Sequence, residues 1–249
     1  MTWEQKVIIE GNVYQVTISD DQDALCSAFA EGRAVVGLWD SQRVGQNLAP
    51  AVYVVESPED IDDVFLEQVV RRKVGLPWMI ARTNRLMIRE FVPQDYRFIP
   101  KEPEDSMPEA LFNKKESLRD YIRHQYGFYE YGIWALVDHC SGQLVGKAGI
   151  SNLELEGQKE FIEATKNNDT PVELGYHIFT PYRQKGYGKE ACEAILSYGA
   201  AHISERIYAR IHEENRASVK LAEDLGFSLT ARTHSGLNPG LCLYEWNYS

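Results

Sequence analysis

The sequence predicts a mixed α/β protein built in two parts, and three observations carry that expectation. Stretches with strand-like alternation or short apolar runs interleave with stretches of helical periodicity along the 249 residues. A Gly75-Leu76-Pro77 break separates a small α/β part, residues 1–78, from a larger one, residues 79–249. In the larger part a strand pattern runs into the glycine-rich turn Arg183-Gln184-Lys185-Gly186-Tyr187-Gly188, and a helical pattern follows at once.

In the first part, Val7-Ile8-Ile9 and Val13 to Ile18 flank Gly11-Asn12 and read as two strands around a turn. A helix follows from about Asp21, with Leu25, Ala28 and Phe29 on one face and Gly32 near its end. Val35 to Trp39 and Ala51 to Val55 are continuous apolar runs of the kind that form buried strands. Ser57, Pro58 and Asp60 form the start signal of the next helix, whose Ile61, Val64, Phe65 and Val69 recur at helical spacing. Arg71, Arg72 and Lys73 suit its C-terminal end, a solvated basic terminus, and Gly75 suits its stop.

In the second part, Arg85 to Phe91 alternates like a strand, and Pro93-Gln94-Asp95 begins a helical turn. Ser106 to Tyr126 reads as helical, with Ser117 to Asp120 as a capping box part-way along. Tyr131 to Val137 and Gln143 to Ile150 form a hairpin, and a polar insertion covers residues 156–170. Glu173 to Ile178 is a strand. The helix after Gly188 places Ala191, Ile195 and Tyr198 on one face, and Ile207, Ala209 and Ile211 share the inward face of the next strand. A short helix from Asn215 to Leu225 is stopped by Gly226, and Phe227 opens a closing pair of strands.

Composition narrows the function classes. With 44% hydrophobic and 25% charged residues the chain is an ordinary globular sequence. It has no apolar run near the roughly 20 residues that cross a bilayer, and its first residues are too polar for a secretory signal, so a cytoplasmic protein without membrane partners is expected. A formal charge of −11 disfavours nucleic-acid binding, since phosphate neutralisation needs a basic surface; an acidic field instead attracts a cationic substrate such as an amine. Cys26, Cys140, Cys192 and Cys242 stand far apart, and the histidines do not cluster, so neither a metal site nor a disulfide framework is expected.

The glycine turn is an anion site by construction. The first N–H groups of a helix lack intrahelical acceptors, and the macrodipole places partial positive charge there. Gly186 and Gly188 let a phosphate approach the backbone, while Arg183 and Lys185 add charge beside it. A nucleotide P-loop fails, because Arg183 and Glu190 stand where glycine and Ser or Thr are required. A dinucleotide fingerprint matches formally, but Phe179 to Lys185, Pro181 among them, separate the glycines from the strand. A turn that merely needs glycines is the remaining plain alternative.

Arg183-x-x-Gly186-x-Gly188, followed by Asn215-Arg216-Ala217-Ser218 and Leu225-Gly226-Phe227, resembles the GNAT N-acyltransferase superfamily. Arg85 to Glu90 and Glu173-Leu174-Gly175-Tyr176 are similar to its RimJ/RimL-type branch, and the resemblance spans about residues 82–247. It implies a mostly antiparallel mixed sheet flanked by helices, acetyl-CoA as cosubstrate and no metal. The acceptor would be an amine-bearing small molecule or a protein N-terminus, and a homodimer is one arrangement. Residues 1–78 have no counterpart in it; shaping the acceptor cleft, dimerisation and binding another ligand are all open roles.

The same resemblance assigns candidate residues. The coenzyme diphosphate would lie on the amides around Lys185, Gly186, Tyr187, Gly188 and Lys189, with Arg183 and Gln184 also binding the coenzyme and pantetheine beside Tyr176, His177 and Ile178. Asn215 would contact pantetheine or simply cap its helix, and Ser218 would meet the coenzyme sulfur. An attacking amine must be deprotonated, and Glu173 is the first candidate base, with His177 the second; a salt-bridged carboxylate and a structural histidine are the plain alternatives. Ala222 stands where the wider family often carries a thiolate-protonating tyrosine, which leaves the general acid open and keeps a noncatalytic acyl-CoA sensor as the alternative reading. Cys192 is expected to pack rather than react, and some of Tyr121, Tyr126, Phe128, Tyr129 and Tyr131 are candidates for the acceptor entrance, against ordinary core packing.

Overall fold

The structure is a computed structural model that describes residues 1–101, 111–155, 158–233 and 240–248. The chain divides into two compact units, Met1–Trp78 and Met79–Ser249.

In the first unit the hairpin β1 (Thr2–Ile9) and β2 (Asn12–Ser19) turns through Glu10 and Gly11, both at positive φ. Parallel strands β3 (Ala34–Leu38) and β4 (Tyr53–Val55) extend the sheet in the order β1-β2-β3-β4. Helix α1 (Gln22–Ala30), capped by Asp21, sets Leu25 and Ala28 against Val35 and Leu48. Helix α2 (Asp63–Val74) packs Leu66, Val69 and Val70 against Val7, Val16, Ile18 and Val36.

The start of α2 differs from the expected one. Ser57 caps only a 3-10 turn, Pro58–Asp60, and the extended backbone of Ile61 interrupts the path. Asp62 is the true cap, accepting from the Phe65 amide at 2.7 Å; in the first turn Phe65 and buried Leu66 pack on the core while Val64 is exposed. Gly75 ends the helix in the left-handed region, as its position suggests.

The second unit is one eight-stranded sheet in the order β11-β12-β10-β9-β8-β7-β6-β5. Its strands are β5 (Met79–Arg82), β6 (Leu86–Arg89), β7 (Ile133–Asp138), β8 (Leu144–Asn152), β9 (Val172–Ile178), β10 (Arg206–His212), β11 (Ser228–Arg232) and β12 (Leu241–Asn247). Neighbours are antiparallel except β9 and β10, which run parallel. The mixed, mostly antiparallel sheet flanked by helices is the fold class expected from the sequence.

Helices α3 (Lys115–Tyr121), α4 (Lys159–Thr165), α5 (Tyr187–His202) and α6 (Arg216–Asp224) flank this sheet. Helix α5 buries Ala191, Cys192, Ile195 and Leu196, and Tyr198 meets fully buried Trp134 edge-on at 5.5 Å.

Three elements depart from the sequence expectation. Strand β5 was not anticipated, because four residues carry too little alternation. The polar insertion contains α4, whose Phe161 is fully buried with Leu153, Tyr208 and Leu243; one large anchor holds a helix that periodicity cannot reveal. Ser117 lies inside α3, which begins after Lys114, and the helix passes into a π-helical turn at Ile122–Tyr126. The expected helical residues 106–110 lie outside the described residues.

Candidate active site

Strands β9 and β10 hold register at only two steps, Val172 with Ile207 and Glu173 with Tyr208. Both strands continue, to Ile178 and His212, but no longer pair. The edge of β9 from Leu174 to Ile178 is therefore outside the β10 ladder, although its other edge stays paired with β8. A β-strand edge outside a ladder presents backbone donors and acceptors to whatever lies beside it.

Beside the unpaired end of β9 a cleft of about 500 Å³ reaches the N-terminus of α5. Tyr176, His177 and Ile178 line it from β9; Arg183, Gln184, Gly186, Tyr187, Gly188 and Lys189 from the turn; and Asn215 and Ser218 from α6. Every sequence-proposed coenzyme contact except Lys185 thus lies on one surface. Lys185 is in the same turn, its ammonium 5.6 Å from the Tyr182 ring centroid.

The turn has the conformation its glycines suggest. Gly186 has φ +83° and Gln184 φ +60°, and Gly186 caps α5 without a side-chain hydrogen bond to the first-turn amides. A Cβ on Gly188 would meet only Leu221 and Ile178, at 3.5 and 3.6 Å, which is ordinary contact. Packing within the protein therefore does not require a glycine at position 188. Arg183 lies across the end of β9, its Nε donating to the Ile178 carbonyl at 2.9 Å.

Tyr176 and Ser218 face each other across the cleft lining. Burial pushes the Tyr176 phenol up to about 12, so it stays protonated in neutral solution. Asn215 caps α6, its Oδ1 accepting from the Ser218 amide at 3.1 Å, which fixes the backbone that carries Ser218. Ala222 is buried one turn further along the helix. Cys192 is fully buried and its thiol is pushed up by burial, which fits a packing role.

Glu173 does not line the cleft. Both its oxygens are taken by Arg210, with Nε to Oε2 at 2.7 Å and Nη2 to Oε1 at 2.5 Å. The remaining Arg210 nitrogen donates to the Glu154 carbonyl, and the bond to Glu173 raises the arginine pKa. Glu173, the first candidate base, thus sits in the salt-bridged state that was its plain alternative. His177, two residues on, does line the cleft.

The aromatic segment divides in two. Tyr126 is fully buried; its hydroxyl donates to the Ile133 carbonyl at 2.6 Å and accepts from the Phe91 amide. The Tyr121 hydroxyl accepts from the Ile133 amide at 2.6 Å. These two rings clamp the start of β7 and belong to the core. Phe128 and Tyr129 are exposed, and Tyr131 reaches the Asn152 side chain at 2.5 Å.

The sequence reading missed the supports of the turn. Tyr187 donates to Asp138 Oδ2 at 2.8 Å, Tyr182 donates to Gln143 Oε1 at 2.7 Å, and Arg85 bonds the Lys185 carbonyl at 2.7 Å. Hydrogen bonds from Ser141 and Tyr187 hold Asp138 at about 2, so it is a full anion. No local pattern announces such partners, which lie from 39 to 100 residues away.

The site is thus a parallel pair of strands that part near a glycine turn at a helix N-terminus. Residues 85–228 match the model of the acetyltransferase (GNAT) domain, and the chain belongs to that family of enzymes. It is 27% identical over 139 residues to the uncharacterized protein YkkB of Bacillus subtilis, covering 53% of this chain and 72% of that one. Against the uncharacterized N-acetyltransferase YnaD of the same organism the identity is 28% over 157 residues, covering 59% and 82%. Among solved structures, the ribosomal-protein-S5-alanine acetyltransferase of Vibrio fischeri has a TM-score of 0.51 at 16% identity, covering 69% of this chain and 96% of that one, which marks a shared fold.

Proposed function

We propose that this acetyltransferase moves an acetyl group from acetyl-CoA to a primary amine by direct attack. The parting of β9 and β10 beside the glycine turn carries this reading. The residues present fit the cosubstrate: the first-turn amides of α5 with Gly186, Gly188, Arg183, Lys185 and Lys189 suit a diphosphate. The β10-facing edge of Tyr176, His177 and Ile178 suits the amides of pantetheine.

In the reaction the amine nitrogen bonds to the thioester carbonyl carbon, the C–S bond breaks with its electron pair on sulfur, and sulfur gains a proton. His177 takes the proton that the amine must lose, because it lines the cleft and Glu173 is engaged by Arg210. Glu173 contributes negative charge and geometry near the parting of the strands. Ser218, which lines the cleft with Tyr176, supplies the proton to sulfur and regains one from solvent, in place of the hydroxyl absent at Ala222. A β9 amide near Tyr176 or His177 faces the carbonyl oxygen as it becomes negative.

The acceptor is a small amine or a protein N-terminus. A matrix of acyl-CoA donors and amine acceptors, assayed for thiol release, tests the reading: at least one primary amine is expected to release CoA well above the rate without acceptor. Tight acetyl-CoA binding with no amine-dependent release would reject it in favour of a noncatalytic sensor.

A further inference from the structure

Glu190 lies in the first turn of α5, on the helix that receives the diphosphate in the proposed function. Its Oε1 accepts from the Thr83 hydroxyl at 2.5 Å and from the Arg85 amide at 2.8 Å. Its Oε2 accepts from Arg85 Nε at 2.7 Å and pairs with Nη2 at 2.6 Å. Burial alone would raise the Glu190 pKa; the bonds from Thr83 and Arg85 outweigh it, and the net direction is down. Glu190 is therefore an anion fixed at four points to the turn between β5 and β6.

Arg85 then reaches the glycine turn. Its Nη1 donates to the Lys185 carbonyl at 2.7 Å, and its guanidinium carbon lies 4.5 Å from the Tyr187 ring centroid. A Cβ on Gly186 would come within 3.3 Å of Nη2, so the arginine is seated directly against the glycine. In a planar trans peptide the C=O and N–H point to opposite sides. Holding the Lys185 carbonyl toward Arg85 therefore turns the Gly186 N–H the other way.

From this geometry we infer that Arg85 and Glu190 form a strut that presets the coenzyme turn, making Arg85 a positioning residue for acyl-CoA binding. Its guanidinium is neutralised by Glu190, so it acts by fixing peptide orientation rather than by attracting phosphate. Preorganised donors avoid an ordering cost at binding, and losing that order weakens affinity without touching the chemical step. The inference rests on the proposed coenzyme site and adds a part of the chain that does not line it.

Calorimetric titration of the full-length protein with CoA tests the strut without any acceptor. Arg85→Gln is expected to weaken CoA binding about tenfold, and the near-isosteric Glu190→Gln by a smaller factor. The double variant should bind no worse than Arg85→Gln alone, since both changes break one device. Arg85→Lys, which keeps charge but not the planar fork, should recover part of the affinity. With an amine substrate, KM for acetyl-CoA rises while kcat stays within about twofold of wild type. Folded variants that bind CoA as wild type does, or that lose kcat at unchanged KM, overturn the strut. If Arg85→Gln fails to fold, Glu190→Gln decides by the same criteria. Wild-type protein that does not bind CoA overturns the coenzyme reading itself.

Discussion

Glu173 and Arg210 meet where β9 and β10 part: Glu173 is in the last registered step, and Arg210, two residues beyond the partner Tyr208, returns to grip both carboxylate oxygens. The pair ties the two strands together by side chains at the step where their register ends. It also separates two roles that sequence position alone had merged, proximity to the cleft and availability as a base.

Replacing Glu173 by Gln should therefore leave substantial turnover, with kcat reduced less than about tenfold, whereas His177→Asn should lower it about a hundredfold. The check is a pH–rate profile of each variant at saturating substrates. Loss of activity in Glu173→Gln with a near-normal His177→Asn would return the base to Glu173.

The two turn glycines should respond differently to alanine. Gly186 has φ +83°, so Gly186→Ala strains the backbone and costs about 1 kcal/mol of stability in addition to coenzyme affinity. Gly188→Ala meets only ordinary contacts in the protein and should leave the melting temperature unchanged while weakening CoA binding. Thermal unfolding and CoA titration of both variants separate the effects; undiminished CoA binding by Gly188→Ala would place the diphosphate elsewhere.

The hydroxyl pair on the floor of the cleft should matter to chemistry more than to binding. Ser218→Ala and Tyr176→Phe are each expected to lower kcat by about tenfold or more, with KM for acetyl-CoA little changed. Since the folded pKa of Tyr176 is about 12 and the ordinary value is 10.0, its contribution to stability is intact below pH 10 and is lost as pH rises through 12. Denaturant unfolding across that window should show a smaller alkaline loss in Tyr176→Phe than in wild type.

Among the aromatic residues, function and packing should separate cleanly. Tyr126→Phe removes the donor to Ile133 and the acceptor for Phe91, and should destabilise the protein by about 1–3 kcal/mol without changing the kinetics of the folded enzyme. Exposed Phe128 and Tyr129 should tolerate alanine in stability, and if they meet the acceptor its KM will rise. Equal kinetics for both alanine variants with every acceptor would remove them from the entrance.

Much of this arrangement was legible in the sequence because it is written locally. The glycine turn, the strand before it and the helix after it are contiguous, so residue spacing brings the end of the strand, the turn and the start of the helix to one cleft. The Asn215 cap and the Gly226 stop are local signals too, and both act where expected. What stayed hidden depends on contacts distant in sequence. The Arg210 fork, the Arg85 strut and the Tyr187–Asp138 bond join segments that only the folded sheet brings together. Helix α4 was hidden for a different reason: its burial rests on Phe161, and a single anchor leaves no period to read.

A single-turnover experiment distinguishes direct transfer within the cleft from transfer through an acetylated enzyme. Enzyme in excess over acetyl-CoA is mixed with an accepted amine, quenched in acid, and analysed for CoA thiol, acetylated amine and acetylated protein. Direct transfer gives thiol and acetylated amine in equal amounts at the same rate, with no acetylated protein at any time. An acetyl-protein species that forms and decays at the rate of turnover, or thiol released without acetylated amine, would contradict it.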